Sequence, residues 1–263
     1  MFITKSLDPD KLPCRLSDFG CICSDLDLTL VDFLKGHDAA VVNLHASIGK
    51  KFALEFQNVR RVAIAYVTKL KSFGCSKTDF LQFKESFAKV KKFLGSGYGI
   101  RTVSREMWIM IAAMNLGMSI SSKEVIRARD IYWDAVTKNS PLLEDAILFL
   151  GKIYSLKIPF YIMTASDGML NMDSEGNLFY DPEYAKTYKM KRVTSYKIDN
   201  KGIVVGDPHD KPEILFFTEL LQLADTDGKI SKDKILFVGD SIPQDLQVPE
   251  SMGYSVMHVN RRL

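Results

Sequence analysis

Short apolar runs of strand length punctuate the chain at residues 19–23, 159–163, 235–238 and 255–259, each bounded by polar or turn residues. Continuous apolar runs of this kind predict parallel strands covered on both faces, because a strand wetted on one side alternates instead. Helical patterns lie between them. One spans 142–154, with Ser140 as its expected cap and Pro141 at its first position, and another spans 212–224 with Pro212 in its first turn. Alternation of strand and helix predicts an α/β, doubly wound, Rossmann-like parallel sheet.

Residues 32–140 differ. Apolar residues recur at helical spacing over 41–47, 59–73, 80–93 and 105–116, and Ser121 with Glu124 reads as a capping box for a further helix. No strand pattern interrupts them. The expected organisation is an α/β domain formed by 1–31 and 141–263, with an all-helical domain inserted at 32–140. A Gly-rich stretch at 95–99 reads either as a plain turn or as a loop that reads substrate. The segment 173–206 is polar and hairpin-like, with an extra hairpin expected around 197–205.

Charge sharpens this division. The net charge of +3 conceals 18 Lys and Arg against 9 Asp and Glu within 32–140, whereas the remainder is acidic overall. The segregation favours an anionic ligand approaching the middle segment. Cys14, Cys21, Cys23 and Cys75 lack zinc-site spacing and are expected to pack structurally. No run approaches the length of a membrane span, and no basic segment leads into an apolar one at the N-terminus. An untargeted, cytoplasmic protein with no membrane partner is expected.

The candidate chemistry begins where the first buried strand runs into Asp25-Leu26-Asp27-Leu28-Thr29. Two carboxylates at the C-terminal end of such a strand lie where open α/β sheets bind ligands, and burying both is costly without a counter-ion. A divalent cation offsets that cost; oxygen ligands point to Mg²⁺ rather than zinc. Three further elements follow in order. Thr164 follows the strand at 159–163, Lys211 opens a helix, and Asp240 and Asp245 follow the strand at 235–238 within Gly-Asp-Ser-Ile-Pro-Gln-Asp. Thr164 and Ser166 both offer a hydroxyl just past the strand at 159–163, with Thr164 preferred as the ligand-facing one.

These four motifs together resemble the haloacid dehalogenase superfamily, over residues 19–31 and 141–260. The resemblance implies an inserted helical cap of the first type, closing over the site as a lid. It implies that Asp25 is a nucleophile forming an aspartyl phosphate, and that Asp27 protonates the leaving oxygen and later activates water. Asp25, the Asp27 backbone carbonyl and Asp240 resemble the Mg²⁺ ligands, with Asp245 supporting them. Thr164, the Ala165 amide and Lys211 would bind the phosphate. An Asp at position 27 argues against dehalogenation, since a departing halide needs no proton. The expected activity is Mg²⁺-dependent hydrolysis of a small phosphorylated metabolite. A phosphomutase and a catalytically silent binding protein are the alternatives, and nucleic acid is not the expected partner.

Two other features are given structural readings. The stretch 225–230 fails as an EF-hand, because Leu223 would fill its first ligand position and Lys234 its last. His209 and Asp210 are taken as structural, Asp210 capping the helix that follows.

Overall fold

The structure is a computed structural model, and it describes residues 1–68, 74–94, 100–225 and 228–261. The chain opens with β1 (Phe2–Thr4) and β2 (Cys21–Asp25). Five helices follow: α1 (Phe33–Ile48), α2 (Lys50–Thr68), α3 (Lys77–Phe93), α4 (Arg105–Asn115) and α5 (Ser122–Asn139). Next come α6 (Glu144–Ser155), β3 (Phe160–Thr164), β4 (Leu170–Met172), β5 (Leu178–Tyr180), α7 (Pro182–Ser195) and β6 (Gly202–Val205). The chain finishes with α8 (Ile214–Ala224), β7 (Ile235–Gly239), α9 (Gln247–Ser251) and β8 (Ser255–Val259).

Two compact units result: residues 1–34, 140–166 and 189–263 form the first, and residues 35–139 with 167–188 form the second. In the first unit a six-stranded sheet runs in the order β1-β8-β7-β2-β3-β6. Every pairing within it is parallel. From β2 the chain winds outward through β3 and β6, then returns to the other side of β2 for β7 and β8. The reversal lies between β2 and β7, and ligands of open α/β sheets bind outside the strand ends at such a point.

Alternate residues of each strand enter different cores. Ile22, Ile162 and Leu236 pack with Phe149, Leu150 and Ile153 of α6. Cys21, Cys23, Met163 and Phe237 pack with Phe216, Phe217 and Leu220 of α8. Both faces of the sheet are therefore covered, which is why its strands read as unbroken apolar runs. Cys21 and Cys23 are free thiols filling the second core.

Several elements depart from the pattern expected of the sequence. Ser140 does not cap α6, because residues 141–143 pair with the loop after β2: Asp32 N donates to Pro141 O (2.9 Å) and Leu143 N to Leu30 O (2.9 Å). The helix starts at Glu144, with Leu143 at its cap position. Residues 202–205 form an edge strand parallel to β3, not half of a hairpin. The antiparallel hairpin is β4–β5 instead. The long segment read as hairpin-like also contains α7, whose polar composition hid its periodicity. β1 is a short edge strand without an apolar run to announce it.

The second unit contains α2 to α5, most of α1 and the β4–β5 hairpin. The Ser121–Glu124 capping box forms, Glu124 Oε2 accepting from Ser121 N at 2.8 Å. Ser76 and Asp79 make a second box at the start of α3. The end of the pattern at 59–73 and the Gly-rich stretch at 95–99 lie outside the described residues. A buried ion pair holds the hairpin to the helices. Glu106 of α4 and Arg129 of α5 are 0% and 3% exposed and 3.2 Å apart. Glu106 Oε1 accepts from Leu170 N (3.0 Å), and Arg129 donates to Leu170 O (2.8 Å). Both backbone groups that open β4 are thus satisfied by this pair. Residues 167–188, expected within the α/β domain, group with the helices for that reason.

No helix among the described residues is long and apolar enough to cross a membrane. Arg129→Met leaves Glu106 buried without its cation, so urea unfolding is expected to show a loss of about 3 kcal/mol or more. A loss under about 1 kcal/mol, the scale of an exposed pair, would mean that the hairpin is held by other contacts.

Candidate active site

Asp25 is the last residue of the central strand β2, 5% exposed and registered opposite Met163 of β3. The chain then turns sharply. Leu26 O accepts from Leu30 N and Val31 N, and Leu28 takes a positive φ of 68° to make the bend. This turn brings the buried Thr29 hydroxyl back to Asp25, donating to Oδ2 at 3.0 Å. Asp25 Oδ1 accepts from Lys211 Nζ at 2.5 Å. The motif is thus a local device: a strand end delivers a carboxylate and the following turn fixes its orientation.

Lys211 lies in the loop between β6 and α8, three residues before the helix it was expected to open. A backbone turn from Glu213 N to Asp210 O (2.7 Å) occupies the intervening residues. The Lys211 ammonium is buried between two acids, donating to Asp25 and, at 2.6 Å, to Asp245 Oδ1. Asp245 sits on the π-helical turn Ile242–Leu246 that follows β7, and its Oδ2 accepts from Ser241 N at 3.0 Å. Gly239 lets it approach, because a Cβ there would come within 2.5 Å of the Asp245 Cβ. Asp240 completes the cluster, its backbone carbonyl 3.1 Å from His258 Nε2.

Carboxylate oxygens of Asp25, Asp240 and Asp245 lie within 4.8 Å of one another. Among the described residues, three carboxyl groups and the Lys211 ammonium meet here. Hard oxygen donors of this kind fit a divalent cation such as Mg²⁺. Burial pushes the Asp25 carboxyl up to about 7; Lys211 opposes the shift, and Asp245 adds to it. Against its own burial, Lys211 is held above its ordinary value by Asp245 and Asp25.

Thr164 ends β3 beside this cluster. Its Oγ1 is buried without a hydrogen-bond partner, whereas the Ser166 hydroxyl donates to Asp207 Oδ2 at 2.5 Å. Of the two hydroxyls, Thr164 is the one left for a ligand. Ala165 lies between them, half-buried. Asp210 does not cap α8; its Oδ1 accepts from Lys211 N (2.8 Å) and Ser166 N (3.2 Å), tying the two loops together. His209 is half-buried beside Glu213, its Nδ1 3.3 Å from the Glu213 carboxylate. Asp225 accepts from Lys229 N and Ile230 N and makes a turn, as expected; Thr226 and Asp227 lie outside the described residues.

Asp27 has partners that the motif did not reveal. Arg192 grips it with both guanidinium nitrogens, Nη1 to Oδ1 at 2.9 Å and Nη2 to Oδ2 at 2.7 Å, and Lys189 Nζ adds 3.0 Å to Oδ2. Although burial works against its charge, Arg192 and Lys189 hold the Asp27 carboxyl far below the ordinary carboxylate range. Both basic residues come from the last turns of α7. Their three-residue spacing on a helix was the available signal, but it lay in a segment not read as helical.

No protein-family model and no curated protein matches the chain. Solved structures do. The HAD-hydrolase YfnB from Bacillus subtilis, bound to magnesium, is 13% identical with a TM-score of 0.54, over 90% of this chain and 87% of its own. L-2-haloacid dehalogenase from Xanthobacter autotrophicus is 14% identical with a TM-score of 0.53, over 91% and 77%. A predicted phosphoglycolate phosphatase from Haemophilus somnus is 14% identical with a TM-score of 0.50, over 92% and 85%. The chain therefore has the haloacid dehalogenase-type fold, a Rossmann-like core with helical additions, which hydrolases of more than one chemistry share.

The raised Asp25 carboxyl fixes the sign of a pH effect. Its ionised form is disfavoured by folding, so its cost to stability grows as pH rises from about 4 to 7 and is complete above that. In chelator, Asp25→Asn is expected to raise Tm, and by more at pH 8 than at pH 5. An equal change at both values would show that Asp25 does not carry the strain of this cluster.

Proposed function

We propose that this protein is a Mg²⁺-dependent phosphatase that hydrolyses a small anionic phosphomonoester through an aspartyl phosphate on Asp25. The observation that carries this reading is the cluster of buried Asp25, Asp245 and Lys211 with half-buried Asp240 at the switch point of the sheet. Asp25, Asp240, Asp245 and the Asp27 carbonyl would hold the cation. When bound, it would neutralise the repulsion between carboxylate and phosphate and stabilise charge on the phosphoryl oxygens.

The chain's own residues supply the rest. An Asp25 carboxylate oxygen attacks phosphorus as the ester oxygen departs, while Thr29 keeps the other oxygen oriented. The unpaired Thr164 hydroxyl and the Ala165 amide donate to the phosphoryl oxygens, and Lys211 supplies positive charge beside them. Asp27 is the proton carrier, giving to the leaving oxygen and taking from the water that releases phosphate. Its ion pairs favour the second half of that role in the resting protein.

The aspartate at position 27 favours phosphatase over dehalogenase chemistry on this fold. The basic excess of residues 32–140 supports an anionic substrate. Inorganic phosphate release from a panel of sugar, nucleotide and carboxylic-acid phosphates should require Mg²⁺ and fall by at least about 10³-fold in Asp25→Asn. Full activity of that variant would refute the proposed nucleophile. Isomerised product without free phosphate would assign a mutase instead.

A further inference from the structure

Resting on the phosphatase reading, we infer that Lys189 and Arg192 are positioning residues that set the Asp27 carboxylate for the water-dependent half of the reaction. A carboxylate offers about four lone-pair sites. Asp27 Oδ2 receives two donors, Arg192 Nη2 and Lys189 Nζ, and Oδ1 receives one, Arg192 Nη1. Among the described residues this leaves one acceptor direction, on Oδ1, and the Asp27 side chain is 25% exposed. The basic partners are 1% and 3% exposed, and both engage Asp27 directly.

The guanidinium fork is planar and bidentate, so it fixes both the position and the rotation of the carboxylate, which a single ammonium cannot do. Arg192 is itself steadied, its Nη1 lying 3.3 Å from Tyr196 Oη and its guanidinium 5.8 Å from the centre of the Phe33 ring. In the step served, water oxygen bonds to phosphorus and one water proton passes to Asp27 Oδ1. The bond between phosphorus and Asp25 breaks, its electron pair returning to the Asp25 carboxylate. Lys189 and Arg192 form and break no bonds; they act through Asp27.

The test compares Arg192→Met, Arg192→Lys, Lys189→Met, Asp27→Asn and the double variant Asp27→Asn/Arg192→Met, using the best phosphate ester from the panel with Mg²⁺. Arg192→Met should lower kcat about 10²-fold, the scale of one positioned proton-transfer group, and KM with it, leaving kcat/KM within about twofold, because only the step after phosphoenzyme formation is slowed. Acid-quenched Arg192→Met should retain more phosphate covalently on the protein than wild type, a signature that general loosening of the fold does not produce. Arg192→Lys should restore little, and Lys189→Met should lose less than Arg192→Met. The double variant should be no slower than Asp27→Asn, because both changes remove one function. Losses that multiply in the double variant, or full activity of Arg192→Lys, would overturn the inference while leaving the phosphatase intact. A wild type that releases no phosphate would overturn both.

Discussion

Placing a carboxylate at the buried end of the central strand is the constraint on which the site depends. Asp25 is surrounded by β3, β7 and its own return turn, so its charge cannot be solvated freely and must be met by other groups. Lys211 meets part of it from a distant loop, and Asp245 makes the problem worse from the opposite side. The proposed function places a cation and a phosphate where these carboxylates converge. Gly239 belongs to the same constraint, since any side chain there would push Asp245 away from the lysine.

What the sequence revealed follows from how locally each feature is encoded. β2, β3, β7 and β8 were legible because strands covered on both faces need uninterrupted apolar residues. β1 and β6 were not recognised because edge strands of three and four residues carry too little pattern. Helix starts were legible where a side chain does the capping, as at Ser121, and misread at Ser140, where backbone pairing with the loop after β2 takes precedence. Motif order named Asp25, Asp240, Asp245 and Lys211 as candidates, and the structure brings these side chains together, with the lysine in a loop.

The ion pairs on Asp27 had no such signature. They join positions 162 and 165 residues apart, and the helix that supplies Lys189 and Arg192 looked like polar loop. Hydrophobic periodicity finds elements that bury apolar surface. It is silent about a helix whose contribution is two cations aimed at one carboxylate. The same blindness covers Glu106 and Arg129, whose partner groups at Leu170 lie far along the chain.

That second buried pair bears on how this architecture changes over evolutionary time. A helical insertion with one entry and one exit can be exchanged between relatives as a cassette. Here the helices at 35–139 share a buried charge pair with backbone groups of Leu170, which the chain reaches only after passing through the sheet domain. A cassette cut at the obvious ends would carry Glu106 and Arg129 away from the peptide groups they satisfy. An exchange that keeps Glu106 and Arg129 satisfied must move both segments together, the helices and the hairpin beyond β3.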